Sequence, residues 1–274
     1  DYEAKAEKGE IHNYRKISAV ALWRKMLTMI FETGHPWITF KDACNLRSPQ
    51  RHVGVVNSSN LCTEITLNTS PGETAVCNLG SINLKAVFQS ANPRETLKRS
   101  VRVAMRMLDN VIDENFYPIA TAKAANERHR HVGLGMMRYQ DVLYMKGVPY
   151  SNPEALYLSS KIAEYVSYYA VEASAEHARE RGSYSSFAGS SWSKGLVPLD
   201  TVKELGAHVK TPEMPTSYFD EKTQSSKPCF ELLKSSGFVE HLDWDGLRTA
   251  VKKGMRNSLC LAIAPTATIS NISN

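Results

Sequence analysis

The sequence contains no apolar run approaching the length of a membrane span and no signal-peptide pattern at its start, so a cytoplasmic location is the default expectation, with no membrane partner. Its five cysteines are odd in number and lack close pairs, which argues against a disulfide framework and fits a reducing compartment. The C-x-x-C spacing of a structural zinc site is missing, and no metal site is expected. There is no internal repeat and no low-complexity tract. A net charge of +5 implies an ordinary solvated surface, with attraction to phosphorylated ligands second. The basic run Arg128-His129-Arg130-His131 has no aromatic interleaving, so it reads as a solvated turn and not as a nucleic-acid footprint. Gly133-Leu134-Gly135 lacks the third glycine and the preceding strand of a dinucleotide fingerprint, which excludes that reading.

What is present suits a soluble globular protein. The 274 residues, 42% hydrophobic and 22% charged, could bury one large core or two small ones. The Lys- and Glu-rich first dozen residues read as a solvated helix or frayed end. From Ile17, apolar residues at Val20, Ala21, Leu27 and Ile30 follow helical spacing up to Gly34 and Pro36. Residues 37–42 read as a short strand or turn leading to Cys44, a structural thiol. Asn92-Pro93-Arg94-Glu95 opens a helix whose apolar face is Leu97, Val101, Met105, Leu108 and Ile112, ending near Tyr117-Pro118. A long helix runs from Asn152-Pro153-Glu154 to Arg181-Gly182. Residues 183–227 read as long surface connections, with a short helix near 201–208 and Trp192 as an anchor. Short helices are expected over 230–234 and 244–253, the second capped by Asp243. Residues 258–264 form a continuous apolar run, expected as a strand covered on both faces. It breaks at Pro265 into Thr266, Ala267, Thr268, Ile269 and Ser270, where free backbone N–H groups at a helix start suit an anion.

The chemistry is concentrated in Asn60-Leu61-Cys62-Thr63-Glu64. Read as extended backbone, this stretch points Asn60, Cys62 and Glu64 to one side. After the turn-forming Ser70-Pro71-Gly72, the β-prone residues 74–79 could return Cys77 towards Cys62. A free cysteine alone is ordinarily a small buried hydrophobe. A thiol, a carboxylate and an amide on one buried face would be costly without a chemical use, so the combination points to a reactive site.

The run SSNLCTEITLNTS followed by AVCNLGSINL closely resembles the active-site finger of the large, catalytic subunit of ribonucleotide reductase. PWITFKDACN, RHRHVGLGMM and APTATISNIS are similar to further runs of that family, in the same order, with one departure at Arg138, where a small residue, often glycine, is expected. The resemblance implies an α/β fold, part of the ten-stranded α/β barrel with a central finger loop at about residues 57–82. Residues 1–274 would be a partial catalytic barrel domain, with a phosphate loop at 265–270. It further implies Cys62 as the thiyl-radical cysteine, Glu64 as the base on the substrate 3′-hydroxyl, Asn60 as the ribose-binding amide and Cys77 as one redox thiol. Thr266, Ala267, Thr268, Ile269 and Ser270 would hold the substrate diphosphate. No cofactor is expected on this chain. The radical would come from a small metal-containing subunit, diiron in the aerobic type, and electrons from thioredoxin or glutaredoxin. The expected partners are a ribonucleotide, the rest of the large subunit, that small subunit and a second large subunit in a homodimer, without nucleic acid. The chain reads as the middle of a larger subunit that cannot turn over alone, since the partner of Cys77 lies elsewhere. A cobalamin-dependent relative shares the same finger and loop, and a non-catalytic barrel piece binding phosphorylated ligands is the alternative.

Overall fold

The computed structural model describes residues 1–207 and 213–273. The chain divides into two compact units, Asp1–Thr39 and Phe40–Asn274. The first contains α1 (Tyr2–Glu7) and α2 (Ala19–Thr33). Ser18 Oγ accepts from the Ala21 amide at 3.4 Å to start α2, and Gly34, at φ 74°, ends it. These limits match the helix expected from the spacing.

The second unit opens with α3 (Lys41–Arg47), so Lys41 and Asp42 begin a helix in place of the expected strand or turn. No strand forms before Cys77. The first is β1 (Leu79–Asn83), followed by α4 (Leu84–Gln89), α5 (Pro93–Glu114), α6 (Ala120–His129) and β2 (Gly133–Met137). Then come α7 (Tyr139–Lys146), α8 (Pro153–Arg181) and α9 (Pro198–Gly206). The strands β3 (Ser217–Asp220) and β4 (Ser225–Pro228) form an antiparallel pair, followed by α10 (Glu231–Lys234), α11 (Trp244–Lys253) and α12 (Ala267–Ser270). Pro93 and Pro153 start α5 and α8 at the expected places, and Asp243 Oδ1 caps α11 by accepting from the Gly246 amide at 2.8 Å.

β1 and β2 pair in parallel, Leu79 opposite Gly133 through Asn83 opposite Met137. A third segment lies beside β2: Val132 and Leu134 donate to the carbonyls of Leu259 and Cys260 at 3.0 and 2.9 Å, and Ala262 donates to Leu134. Only the Leu134–Leu261 bridge is regular, so the apolar run at 258–264 is a bridge-length neighbour of β2 and not a full strand. Its outer part is also open, with Ile263 60% exposed, against the expectation of two covered faces.

The face of α5 formed by Leu97, Val101, Met105, Leu108 and Ile112 is buried, as its period requires, and Leu108 rests over Gly80 of β1. Each such side chain contributes about 1.5–3 kcal/mol by leaving water. Beside it lies α8, whose Leu158, Ile162 and Val166 are fully buried. Lys98–Glu172, Arg102–Glu176 and Arg106–Glu180 pair at 3.0, 3.1 and 2.7 Å. Both partners advance by four each time, one helical turn, so the two helices run parallel in fixed register. The polar stretch after α8 packs inward where surface connections were expected. Tyr184, Ser186, Ser190 and Trp192 are buried, and Trp192 Nε1 donates to the Ser258 carbonyl at 2.8 Å. The anchoring expected of Trp192 is therefore present. The expected helix near 201–208 is α9, while His208 falls outside the described residues.

Candidate functional site

The approach to the site is fixed from α3. Asn45 accepts from the Val56 amide at 2.8 Å and donates to the Val56 carbonyl at 2.9 Å, pinning the backbone that leads to the finger. The finger does not continue as a strand. Thr63 takes a positive φ of 63° and donates to the Asn60 carbonyl at 3.1 Å, closing a tight turn at the motif. The alternation expected of Asn60, Cys62 and Glu64 is therefore replaced by a turn, which brings the ends of the motif together by a different route. Asn60 Nδ2 donates to Glu64 Oε2 at 2.8 Å, and Asn60 Oδ1 accepts from the Ile65 amide at 3.1 Å. Ser59 Oγ donates to the Ile65 carbonyl at 2.6 Å, with Ile65 buried beneath. Asn60 and Glu64 are thus held as a pair, and Cys62 lies exposed in the turn between them.

The return arm starts at Ser70–Glu73, where both residues exchange backbone hydrogen bonds at 3.1 Å around Pro71-Gly72. The turn expected there is present. Glu64, Cys77, His131, Gly133, Leu261 and Ala262 line one small cavity of about 30 Å³. Cys77 is an exposed residue, yet its thiol is shielded enough that burial pushes its pKa up, with the nearby Glu64 carboxylate and Cys62 adding to the effect. All five cysteines are free. Among the described residues no group of three or more His, Cys, Asp or Glu is arranged to hold a metal ion.

Four residues beyond Ala262, the backbone turns into α12. Thr266 is its N-cap residue, Ser270 donates back to the Thr266 carbonyl at 2.9 Å, and the amides of Ala267, Thr268 and Ile269 bond to nothing among the described residues. Thr266 and Ser270 are half-buried while the three residues between are exposed. Unsatisfied N–H groups of a first helical turn favour an oxyanion.

The sequence profile of the family described as "Ribonucleotide reductase, barrel domain" matches residues 1–274. This chain belongs to that family. The alpha subunit of ribonucleoside-diphosphate reductase from Chlamydia pneumoniae is 50% identical over 278 residues, covering 99% of this chain and 24% of that protein. The large subunits from Trypanosoma brucei brucei and Arabidopsis thaliana are 38% and 36% identical, covering 94% and 93% of the chain and 29% and 30% of those proteins. The chain thus spans about a quarter of the length of the first of these curated relatives. The mixed helix and sheet architecture, with β1 and β2 parallel and α5 packed on both, is the α/β architecture expected of a piece of this barrel.

Two features of this barrel piece were not foreseen. The basic run before β2 is not a solvated turn: His129, Arg130 and His131 are 2%, 6% and 5% exposed. Each finds a partner from a distant part of the chain. Arg130 donates to Asp109 at 2.9 Å and doubly to Asp113 at 2.7 and 2.8 Å, and His131 Nε2 donates to the Val76 carbonyl at 2.9 Å. His129 Nε2 faces Glu73 Oε1 at 3.2 Å, and its Nδ1 lies 2.7 Å from Ser186 Oγ, which also accepts from Gln50 Nε2 at 3.0 Å. Burial raises the pKa of Glu73, but His129 and Arg128 outweigh it, so the carboxyl stays below its ordinary range. Serine, histidine and glutamate in this order match the relay of a hydrolase, but Ser186 is buried and saturated by Gln50, which leaves no room for an acyl substrate. The relay ties the turn of the finger to the body of the unit.

The second feature is the backbone conformation of Arg138, the residue that departs from the expected pattern. It takes φ 62°, a left-handed conformation that costs an ordinary residue about 1–2 kcal/mol and glycine little. The small residue expected at this place would have a backbone reason. Gly133 and Gly135 likewise serve packing, since a Cβ at Gly135 would lie 2.6 Å from the Ala262 carbonyl oxygen. The two glycines allow the segment ending in α12 to approach β2.

Proposed function

We propose that this chain is the part of a ribonucleoside-diphosphate reductase large subunit that holds the finger and the phosphate loop, and that it acts in the radical reduction of ribonucleotides to 2′-deoxyribonucleotides. The observation that carries this reading is the meeting of Glu64 and Cys77 at one cavity, with Asn60 bonded to Glu64, Cys62 in the turn between Asn60 and Glu64, and the free amides of α12 only a few residues beyond the cavity wall. In this reading the Cys62 thiyl radical takes the 3′-hydrogen of the ribose and later returns it. Glu64 takes the 3′-hydroxyl proton as a positioned base, and its bond from Asn60 Nδ2 fixes its direction. Asn60 holds the ribose hydroxyls. Water leaves from C2′, and the two electrons come from Cys77 and a second thiol outside residues 1–274. Thr266, Ala267, Thr268, Ile269 and Ser270 hold the diphosphate, as the free amides of the loop suit.

The finer assignments follow the aerobic type: a radical from a small diiron subunit, reduction by thioredoxin or glutaredoxin, a homodimer of the complete large subunit and a cytoplasmic site of action. Among the described residues no helix is long and apolar enough to cross a membrane. The test is product formation from ribonucleoside diphosphates by the complete large subunit with its small subunit and a dithiol reductant. Deoxyribonucleotide should form and should require Cys77. Tight nucleotide binding without product would instead favour a non-catalytic barrel piece, and activity that requires adenosylcobalamin would favour the cobalamin-dependent relative.

A further inference from the structure

We infer that His131 is a positioning residue for Cys77, straddling it through the backbone on both sides. Its imidazole Nε2 donates to the carbonyl of Val76, the residue before the thiol, at 2.9 Å. Its own carbonyl accepts from the side chain of Asn78, the residue after the thiol, also at 2.9 Å. The second arm is itself held, because Asn78 Nδ2 also donates to Asn126 Oδ1 at 3.1 Å and the Gly133 amide donates to the Asn78 carbonyl at 2.8 Å. Asn78 and Asn126 are both buried, and Asn126 donates onward to the Tyr117 hydroxyl at 2.8 Å. Cys77 is thus the exposed member of a run whose neighbours are both tied to one buried histidine. The same imidazole lines the small cavity with Cys77 and Glu64, so it sets the wall against which the thiol rests.

The protonation of the ring fits this task. The groups around it are His129, whose ring centroid lies 6.5 Å away, Glu73 beyond His129, and the Cys77 and Glu64 pair across the cavity. Burial, with His129 adding, pushes the His131 pKa down to about 4, so the ring is neutral at physiological pH. A neutral imidazole carries one proton, and the carbonyl of Val76 requires it on Nε2. The Val76 carbonyl is served by a donor that stays neutral, since a cation in this buried wall would be costly to desolvate. Nothing in the spacing of Arg128-His129-Arg130-His131 separates this histidine from its neighbours. The strap appears only when residues 76–78 are folded against residue 131.

The inference rests on the proposed function for the importance of Cys77, but its test does not depend on turnover. The probe is iodoacetamide, and the readout is the pH profile of alkylation of each cysteine in the full chain, resolved by peptide mass spectrometry for the parent, His131→Phe and His131→Gln. Phenylalanine fills the ring's space without the donor, and loss of one hydrogen bond should speed Cys77 alkylation by about tenfold at neutral pH. The Cys77 profile should also move to lower pH, while Cys62 and Cys44 keep the parent rates. Glutamine retains a donor and should return Cys77 to within about threefold of the parent. A His131→Phe profile superimposed on the parent would overturn the inference, as would equal acceleration of all three cysteines, which signals general loosening. If His131→Phe does not fold, imidazole nitrogen NMR of the parent decides: a neutral ring protonated on Nε2 alone that persists down to about pH 5 supports the strap. A neutral ring protonated on Nδ1, or titration near the ordinary 6.5, refutes it. Turnover by a complete subunit carrying Cys77→Ser would sink the reductase reading while leaving these readouts, and the strap, untouched.

Discussion

Asp109 is fully buried on α5 and is the anion to which three separate segments are tied, so replacing it by asparagine is expected to cost more than any other single charge removal in the chain. Its Oδ1 accepts from Arg130 Nε at 2.9 Å and Asn257 Nδ2 at 3.1 Å, and its Oδ2 from Arg181 Nη1 and Arg256 Nε, both at 3.1 Å. Burial pushes its pKa up, yet Arg130 and Arg256 outweigh that and hold it below the usual carboxylate range. In Asp109→Asn the guanidiniums of Arg130, Arg181 and Arg256, 7%, 30% and 14% exposed, would lose their shared counter-charge. The new amide would also point N–H groups at donors. Breaking a buried pair in this way costs about 3–5 kcal/mol, against a total of about 5–15 kcal/mol for a typical domain. Urea unfolding followed by circular dichroism measures the loss. Asp113→Asn is the comparison: Asp113 also bonds Arg130 but is 46% exposed, so its loss should cost about 1 kcal/mol or less. A midpoint for Asp109→Asn that matches that of Asp113→Asn would refute the account of Asp109 as the central anion.

Gly135→Ala should destabilise by about 1–3 kcal/mol, because its Cβ would meet the Ala262 carbonyl oxygen at 2.6 Å. In Gly80→Ala the nearest atom is Leu108 Cδ1 at 3.6 Å, an ordinary contact, and the melting temperatures of the two variants should separate accordingly. Arg138→Gly should raise the urea midpoint, by up to about 1 kcal/mol in stability, since relief of the left-handed backbone exceeds the loss of a 3.7 Å pair with Asp141. A lowered midpoint contradicts this. Acid should weaken the fold first through His131. Its pKa falls from 6.5 unfolded to about 4 folded, so the unfolded chain binds the proton first as pH drops. That stability is fully present above about pH 6.5 and fades between 6.5 and 4, by about 3 kcal/mol in all. Burial lowers the pKa of His129 as well, in the same direction. Urea midpoints at pH 7 and 4.5 that coincide would show that neither ring is buried neutral.

The parts of the fold legible in the sequence are those governed by local spacing. The faces of α5 and α8, their proline starts and the Asp243 cap depend on residues within a turn or two of one another, and they stand where the spacing puts them. The run Arg128-His129-Arg130-His131 reads as solvent-facing because charge suggests water. Its fate depends on Asp109, 21 residues away from Arg130, and Glu73, 56 away from His129, which no local pattern reveals. The Ser-rich stretch after α8 misleads for the same reason, since Ser186 and Trp192 bond to residues 57 and 66 positions distant. At the finger, residue types were informative and geometry was not. Asn60 and Glu64 do meet, but through a turn in which Thr63, a β-branched residue, takes a positive φ that its chemistry gives no reason to expect. The apolar run before Pro265 is strand-like by composition, yet only Leu261 forms a regular bridge to β2.

The reductase reading requires the Cys62 sulfur to carry the radical, and diphosphate binding to be carried elsewhere, by the α12 loop. The direct measurement is nucleoside diphosphate affinity and turnover, side by side, for the complete subunit carrying Cys62→Ser. The account predicts no detectable deoxyribonucleotide with affinity within about twofold of the parent, because oxygen for sulfur changes no phosphate contact. Product formed at a rate comparable to the parent, or affinity lost in parallel with activity, would contradict it.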